Sequence, residues 1–390
     1  MHKPIGSIFT LVGGGTPSTK DERYWGKGIP WFSSADIDRF GAIKNRKTVT
    51  ELGVENSTTN IVEQGTVVVV TRVGLGKVAL LPCDMCFSQD IQALIPKNTG
   101  EVFGPFTFYQ LQYIMQSLRY KGQGTTISGI TKKQLADVNF YLPVHSEQER
   151  IVSKIEELFS KLDASVAELQ AAKEKLKIYR QAVLKEAFAE FQVKKPIREM
   201  TAIVTSGSRG WAKYYSSDGA KFIRIGNLTR DSIKIDFNEM QYVALPENAE
   251  GTRTKLHTND VLVSITADLG SIGLVPETIG DAYINQHIAL VRFLNPEQSE
   301  FMAWYLRSDW GQKNLLKNKR GAGKLGLGLD DIRDTKVPVV SDEQAKTIVS
   351  EISARLSVCD SIEQTIDTSL QQSEALRQSI LKQAFEGKLA

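Results

Sequence analysis

The sequence predicts an α+β fold, in which two pseudo-symmetric α/β domains are separated by two long antiparallel helices that form a coiled coil. Three observations predict it: a long heptad pattern in the middle of the chain, a second heptad pattern at its end, and an internal repeat that relates the two halves. We expect the first domain at residues 1–145, the central helix at 146–193, the second domain at 194–340 and the C-terminal helix at 341–390.

The composition is ordinary for a chain of two or more globular domains. Of the 390 residues, 41% are hydrophobic and 24% are charged, and the net charge of +3 neither requires nor excludes a nucleic-acid partner. The aliphatic run Val67–Val70 is too short to cross a bilayer, and the first residues lack the apolar core of a signal peptide. Three cysteines give no disulfide framework. We therefore expect a cytoplasmic protein with no membrane partner.

The first domain contains a hairpin, a helix and a short strand ahead of the central helix. Residues 65–81, GTVVVVTRVGLGKVALL, have two apolar runs separated by Gly-Leu-Gly, a pattern typical of a β-hairpin. A helix is predicted at 107–118, and VNFYLPV at 138–144 predicts the strand. Ser146, with Glu149 three residues later, predicts a capping box at the start of the central helix.

The stretch from Ser146 to Phe191 predicts one uninterrupted helix, because it contains no Gly or Pro and its apolar residues recur every seventh position. The main heptad positions are Ile155, Leu162, Leu169, Leu176 and Val183, and a second seam is predicted at Ile151, Leu158 and Tyr179. Such a helix, roughly 70 Å long at about 1.5 Å per residue, needs a partner along most of its length.

The end of the chain provides that partner. RQSILKQAF at Arg377–Phe385 repeats RQAVLKEAF at Arg180–Phe188, at a shift of 197 positions. The same shift places Ile352, Cys359, Ile366, Ser373 and Ile380 on the heptad seam. We assign Ile352, Ile366 and Ile380 to packing between the helices. Because Cys359 and Ser373 weaken this seam, we expect the two helices to depend on each other.

The second domain repeats the first. NDVLVSITADLGSIGLVP at 259–276 aligns without a gap on GTVVVVTRVGLGKVALLP at 65–82, and INQHI at 284–288 aligns on FSQDI at 87–91. The segment QVKKPIREM before this domain is predicted to be a linker. The order is therefore domain, helix, domain, helix. Two similar domains at a fixed separation suit a long target that is read at two places, and duplex DNA is such a target.

Several motifs resemble those of the specificity (S) subunits of Type I restriction-modification systems. They are GGGTPS at Gly13–Ser18, LPVHSEQERIVSKIEELFSKLD at Leu142–Asp163, VPVVSDEQ at Val337–Gln344 and the paired RQAVLKEAF and RQSILKQAF helix ends. The second domain departs from the pattern, because TSGSRGWAK at Thr205–Lys213 stands in place of GGGTPS. We interpret that difference as a different specificity.

The resemblance implies that each domain is a target recognition domain, which reads one half of a bipartite double-stranded DNA sequence. It implies that the helices set the gap between the half-sites, on the order of one turn of DNA, and dock two modification (methyltransferase) subunits. Methylation of adenine with S-adenosylmethionine and ATP-dependent cleavage would then belong to partner subunits. The sequence leaves open whether a restriction subunit is among them.

The sequence lacks the motifs that chemistry of its own would need. Asn295-Pro296 is not followed by the Pro-Tyr of an amino-methyltransferase, and GAGK at Gly321–Lys324 lacks the first glycine and the Ser/Thr of a phosphate-binding loop. Cys83 and Cys86 form a lone CxxC, which is more typical of two packed thiols than of a zinc or redox site. We therefore predict no catalytic residue, no metal site and no cofactor.

DNA readout requires polar side chains at base edges and basic side chains at phosphates, and loops supply both. In the first domain the candidates are Ser33, Ser34, Arg72, Lys77, Gln89, Lys121, Thr125, Thr126, Ser128 and Lys132. In the second they are Arg209, Lys213, Arg224, Asn227, Asp268, Ser271, Gln286, Lys317, Lys319, Arg320 and Lys324. Lys317, Lys319 and Arg320 together rank highest, because a basic run beside a Gly-rich segment follows a phosphate backbone with little strain. Isolated loop lysines and arginines are most often simply solvated.

Two other functions remain compatible with the sequence. The chain could be a stand-alone DNA-binding regulator, which would need no surface for a modification subunit. It could also be a coiled-coil scaffold whose domains bind protein. DNA binding that weakens steeply with salt would exclude the scaffold, and a stable complex with a modification subunit that methylates DNA would exclude the regulator.

Overall fold

The computed structural model describes residues 1–44, 47–121, 129–191, 194–207, 209–246, 252–320 and 325–389, and for residues 117, 119–121, 252 and 318 it describes the backbone alone. The chain forms two compact units. The first contains Met1–Leu169 and Thr368–Ala390, and the second contains Gln170–Asp367. Each unit therefore includes a part of both long helices.

The first unit combines short strands and helices with parts of the two long helices. Its strands are β1 (His2–Pro4), β2 (Phe9–Gly13), β3 (Trp25–Phe32), β4 (Lys47–Val49), β5 (Val67–Val70), β6 (Val78–Leu80), β7 (Cys86–Phe87), β8 (Ile91–Pro96) and β9 (Asn139–Tyr141). Its helices are α1 (Ile5–Ile8), α2 (Glu51–Glu55), α3 (Gly104–Lys121), α4 (Lys132–Ala136) and the first part of the long helix α5 (His145–Ala187).

The second unit is built in the same way. Its strands are β10 (Lys194–Pro196), β11 (Thr201–Ser206), β12 (Tyr215–Ser216), β13 (Ala220–Ile223), β14 (Gln241–Val243), β15 (Val261–Ser264), β16 (Ile272–Leu274), β17 (Ala282–Ile284), β18 (Ile288–Phe293) and β19 (Lys336–Pro338). Its helices are α6 (Ser299–Arg307), α7 (Asp309–Leu315), α8 (Leu329–Arg333) and the first part of the long helix α9 (Asp342–Phe385).

The two units share one sheet topology. An antiparallel sheet has the order β2-β8-β5-β6 in the first unit and β11-β18-β15-β16 in the second. The predicted hairpins pair in the same register, with Val67 opposite Leu80 and Val261 opposite Leu274. Each unit has a second sheet, β4-β3-β7 in the first and β12-β14-β13-β17 in the second, in which β3 pairs parallel with β7 and β13 pairs parallel with β17. The predicted α+β fold class with its internal repeat is confirmed.

Both long helices contribute to the core of each unit. In the first unit, Ile155 near the start of α5 and Phe385 at the end of α9 join the same buried cluster as Phe106 of α3. In the second unit, Val183 near the end of α5 and Ile352 near the start of α9 lie in one cluster. The beginning of one helix and the end of the other therefore complete each core, which explains why the helix ends carry the repeated sequence.

The two long helices begin with different caps. The predicted capping box of Ser146 and Glu149 is wrong, because α5 starts at His145 and the backbone N–H groups of Glu147 and Gln148 donate to the Val144 carbonyl. The buried Gln148 side chain instead accepts from the Phe103 N–H at 2.9 Å and ties the helix start to the preceding loop. At the start of α9, by contrast, Ser341 and Gln344 do form a reciprocal cap.

Within the second unit the helices pair antiparallel. Lys173 Nζ lies 2.7 Å from Asp367 Oδ1, and further along α5 the Glu186 carboxylate accepts from Arg355 Nη1 at 2.9 Å. Residue numbers rise along α5 while the numbers of their partners on α9 fall, as in an antiparallel pair. Within the first unit, Asp163 of α5 pairs with Arg377 of α9, whose guanidinium also lies 4.2 Å from the centre of the Phe159 ring.

The heptad positions lie between the helices to different depths. In α5, Ile155 and Val183 are buried and Leu162, Leu169 and Leu176 are half-buried; in α9, Ile352, Cys359, Ile366 and Ile380 are buried. Tyr179 of the second seam is 44% exposed, and the Arg355 guanidinium lies 5.5 Å from the centre of its ring. The segment predicted to be a linker includes the strand β10, which pairs with β19.

The ion pair of Arg180 is expected to stabilise the second helix pair by about 1 kcal/mol, between the values typical of exposed and buried pairs. Arg180 Nη2 lies 2.7 Å from Asp360 Oδ1, and its side chain is only 18% exposed. A double-mutant cycle of Arg180→Ala and Asp360→Ala, measured by urea unfolding, gives the coupling free energy. The exposed pair Lys154 and Glu157 on α5 is the control, with less than about 0.5 kcal/mol expected. Equal couplings for both pairs would contradict this prediction.

Candidate nucleic-acid interface

Turns at the strand ends of the first unit lie next to one another. The turn after β3 meets the turn after β7, since the Ser88 N–H donates to the Phe32 carbonyl at 3.0 Å. The segment before α4 reaches the hairpin between β5 and β6, where the Ile130 N–H donates to the Thr71 carbonyl at 2.8 Å. The first unit therefore presents one cluster of loops, of the kind that base and phosphate contacts require.

The second unit brings the corresponding loops together with the corresponding bonds. The Asn285 N–H donates to the Ile223 carbonyl at 3.1 Å, and the Leu327 N–H donates to the Ile265 carbonyl at 2.9 Å. The backbone arrangement of the loop cluster is thus duplicated. Differences between what the two clusters bind must come from side chains and from the detailed loop shape.

A glycine in each unit permits a close approach at the base of the loop cluster. A Cβ atom added at Gly14 would lie 2.1 Å from the Phe87 carbonyl oxygen, and one added at Gly207 would lie 2.1 Å from the Ile284 carbonyl oxygen. Both distances are far below a normal contact. TSGSRGWAK in the second domain therefore keeps a glycine at the position of Gly14, although the two sequences look different.

The predicted DNA-binding residues of the first unit differ in exposure. Arg72, Gln89 and Lys132 are exposed, Ser33 and Lys77 are half-buried, and Ser34 is buried. Lys77 Nζ donates to the Ser34 carbonyl at 2.9 Å, so this lysine stabilises the turn after β3. Thr125, Thr126 and Ser128 lie outside the described residues, as does the side chain of Lys121.

In the second unit, basic residues are the exposed ones. Arg209, Lys213, Lys317, Lys319 and Arg320 are exposed, Arg224, Asp268 and Gln286 are half-buried, and Asn227 and Ser271 are buried. Lys324 lies outside the described residues. Of this group, Arg320 forms an ion pair with its Nη2 3.0 Å from the Asp331 carboxylate, and its side chain remains 79% exposed.

Several of the predicted polar residues hold the loops in shape. Asp268 pairs with Arg230 and accepts from the Ser271 hydroxyl at 2.9 Å, and the hydrogen bond from Arg230 is the main reason that the pKa of Asp268 lies below its usual value. Asn227 Nδ2 donates to the Asp236 carbonyl at 2.8 Å. These side chains form their hydrogen bonds within the protein. Their main role is therefore to fix the shape of the loops, and direct contact with a ligand is secondary.

Sequence reasoning missed a cavity of about 400 Å³ beside the turns of the second unit. Asn285 and His287 line it together with the predicted Arg224 and Asn227. The alignment of FSQDI on INQHI contained the signal, since it places Asn285 opposite Ser88 and His287 opposite Asp90. That the turn after β13 faces these residues was not visible in the sequence.

The cysteine pair shows an environment suited to packing. Cys86 is buried, and burial raises the pKa of its thiol to about 11, so the thiol stays protonated at neutral pH. Among the described residues, no three His, Cys, Asp or Glu side chains come together as metal ligands. Nor does any helix within the described ranges combine the length and the apolar character that crossing a membrane requires.

Comparison with known proteins adds a family match. A protein-family model described as Type I restriction modification DNA specificity domain matches residues 1–174 and 210–372. The specificity subunit of the Type I restriction enzyme EcoBI of Escherichia coli is 25% identical over 317 residues, which make up 73% of this chain and 65% of that protein. The match thus spans just under two thirds of the length of that relative.

Two solved structures have a similar fold. One, described as the structural basis of complex assembly and conformational transition of the type I R-M system, has a TM-score of 0.76 and 17% identity, and the match covers 100% of this chain and 98% of the other. The HsdS subunit from Thermoanaerobacter tengcongensis has a TM-score of 0.54 and 17% identity, with 100% and 97% covered. At this level of identity the similarity concerns the fold.

Proposed function

Because the chain belongs to the Type I restriction modification DNA specificity family, we propose that it is the DNA-recognition subunit of such a system and is not itself catalytic. Each unit reads one half of a bipartite target in duplex DNA. The observation that supports this most is the duplicated loop cluster: the same backbone bonds recur in both units, whereas the side chains at the turns differ. Two related readers with different side chains are what a two-part, non-palindromic target requires.

The long helices have two roles in this proposal. Their length sets the gap between the half-sites, and their surface docks the modification subunits, of which we propose two. Methylation of adenine with S-adenosylmethionine then takes place in those subunits, and ATP-dependent cleavage in restriction subunits where a system has them. The protein acts in the cytoplasm, where these partners and the DNA meet.

Single-molecule methylome sequencing tests the proposal. The chain is expressed with its modification subunit in a host that lacks other adenine methylation, and the control host expresses the modification subunit alone. The expected result is methylated adenine in a two-part motif with a constant gap, present only when the chain is present. Identical methylation in both hosts, or a motif without two parts, would show that the chain does not provide recognition.

Two exposed lysines of the second unit provide a prediction about phosphate contacts. Lys317 and Lys319 have no ion pair within the part of the chain that the structure describes, so they are free to neutralise phosphates. Replacing both by Ala is expected to reduce the slope of log K against log salt by about 2, because each phosphate contact contributes roughly 0.9 to the slope. Fluorescence anisotropy of the assembled complex on a cognate duplex measures it.

Lys154→Ala is the matched control, since Lys154 lies on α5 and is already paired with Glu157. It should leave the slope unchanged. The lysine variants should also keep the methylated motif, because phosphate contacts carry no direct sequence information. A slope that stays at the wild-type value would remove Lys317 and Lys319 from the interface.

A further inference from the structure

The turn that follows β3 in the first unit and β13 in the second has one backbone geometry but different side chains. The Ser33 N–H donates to Asp36 Oδ2 at 2.8 Å, and the Arg224 N–H donates to Asn227 Oδ1 at 2.9 Å. Each acceptor closes a short 3-10 turn, Ser34–Asp36 or Ile225–Asn227. The position of Ser33 in one unit is therefore the position of Arg224 in the other.

A second turn behaves in the same way. Ser88 and Asn285 follow β7 and β17, and their N–H groups donate to equivalent carbonyls in the first turn, at 3.0 and 3.1 Å. Ser88 is buried, whereas Asn285 lines the cavity of the second unit. The backbone of the two turns is therefore the same in both units, but the first unit has Ser33 and Ser88 where the second has Arg224 and Asn285.

Arg224 and Asn285 present free hydrogen-bond donors to the cavity. Asn285 is only 9% exposed, and its Oδ1 accepts from the His287 N–H at 3.1 Å, which leaves Nδ2 as the group without a partner among the described residues. Arg224 is half-buried, and its guanidinium makes no ion pair within the described ranges. The His287 ring cannot add a free nitrogen, because Thr266 Oγ1 and Gln286 Nε2 lie 2.6 and 2.9 Å from its two nitrogens.

The charges around the cavity select against a phosphate. The exposed carboxylate of Glu239 and the half-buried carboxylate of Asp236 line it beside Arg224, and both would repel a phosphate group. A neutral base edge meets no such repulsion. A carboxylate beside a base pair can also accept from the exocyclic amine of cytosine.

We propose that Arg224 and Asn285 form a guanine-reading site of the second unit. Guanine presents the two acceptors O6 and N7 in the major groove, and arginine is its commonest specific partner. Adenine presents one acceptor, N7, and one donor, its exocyclic amine, on the same edge, so it matches the two donors of Arg224 and Asn285 less well than guanine does. Glu239 accepts from the cytosine of the same pair.

The test rests on the proposed function and uses the full chain with its modification subunit. Methylome sequencing is carried out for wild type, Arg224→Met, Arg224→Lys and Asn285→Ser, the last of which installs the residue of the first unit. We expect one guanine of the second half-site to become degenerate in Arg224→Met and Asn285→Ser, with discrimination reduced about tenfold or more. Arg224→Lys should retain part of the guanine preference. The first half-site and the gap should not change.

The first half-site serves as an internal control for folding and assembly. Where a variant gives no methylation, anisotropy on duplexes that differ only at that guanine measures the same discrimination in the purified complex. Lys234→Ala, an exposed residue of the same unit outside this cavity, should leave the motif intact.

The outcomes separate the two proposals. A wild-type chain that directs no two-part motif contradicts the proposed function. A two-part motif whose second half contains no G·C pair, or whose guanine requirement survives in Arg224→Met and Asn285→Ser, contradicts the guanine site alone. An equal loss of affinity for every duplex would instead identify Arg224 as a phosphate contact and also overturn the site.

Discussion

Deleting one heptad from each long helix is expected to shorten the gap between the two half-sites by about three base pairs and to leave both half-sites unchanged. Seven helical residues span roughly 10 Å, and one base pair spans about 3.4 Å of duplex. Seven residues also complete nearly two helical turns, with a deviation of only about 20°. The same faces of the helices therefore remain in contact after the deletion. This prediction depends on the proposed role of the helices in setting the gap.

The ion pairs of the two units define where the deletion should be made. Removing 166–172 from α5 and 368–374 from α9 retains Asp163 with Arg377 in the first unit and Lys173 with Asp367 in the second. Methylome sequencing reads the new gap directly. A deletion from α5 alone is the control, and it should abolish methylation because its heptad positions lose their partners on α9. If the matched deletion changed the bases of either half-site, helix length would not be a separate determinant of the target.

Most of the fold could be predicted from two features of the sequence, the internal repeat and the heptad patterns. Both are local or periodic signals: an apolar residue every seventh position reports one helix face, and a shift of 194 aligns Val67 with Val261 without any three-dimensional information. The register of both hairpins follows from the same alignment. A duplicated architecture is predictable because the same sequence pattern occurs twice, so each copy supports the interpretation of the other.

The structural details that sequence reasoning missed all depend on contacts between distant residues. Gln148 fixes the start of α5 through Phe103, 45 positions earlier, and no capping pattern includes such a partner. Ser34 and Ser271 occur in Gly-containing polar stretches that resemble exposed loops, yet packing buries both. The cavity of Arg224 and Asn285 arises where two turns meet across parallel strands, so its residues cannot be grouped from their spacing.

Replacing Phe188 by Ala is expected to destabilise the second unit by about 3–5 kcal/mol, the usual cost of removing a buried phenylalanine. Phe188 lies just after α5, is 2% exposed, and packs edge-to-face on Phe301 at 5.4 Å and on Tyr305 at 5.5 Å between ring centres. Its removal leaves a cavity where the helix end joins α6. A loss of this size corresponds to a fall in Tm of roughly 10 °C for a unit of about 200 residues.

Hydrogen exchange distinguishes this local effect from a general one. Amides of β15, β18 and α6 should exchange faster in Phe188→Ala, whereas those of β5, β8 and α3 keep their protection, because the contacts of Phe188 belong to the core of the second unit. Phe385→Ala provides the mirror experiment, since Phe385 packs on Phe106 at 5.5 Å in the first unit. Ile178 lies on α5 and is 67% exposed, so Ile178→Ala should change Tm by no more than about 2 °C. If the Tm of Phe188→Ala equalled that of Ile178→Ala, the repeated helix ends would not anchor the units. If amides of both units lost protection in Phe188→Ala, the two units would unfold together.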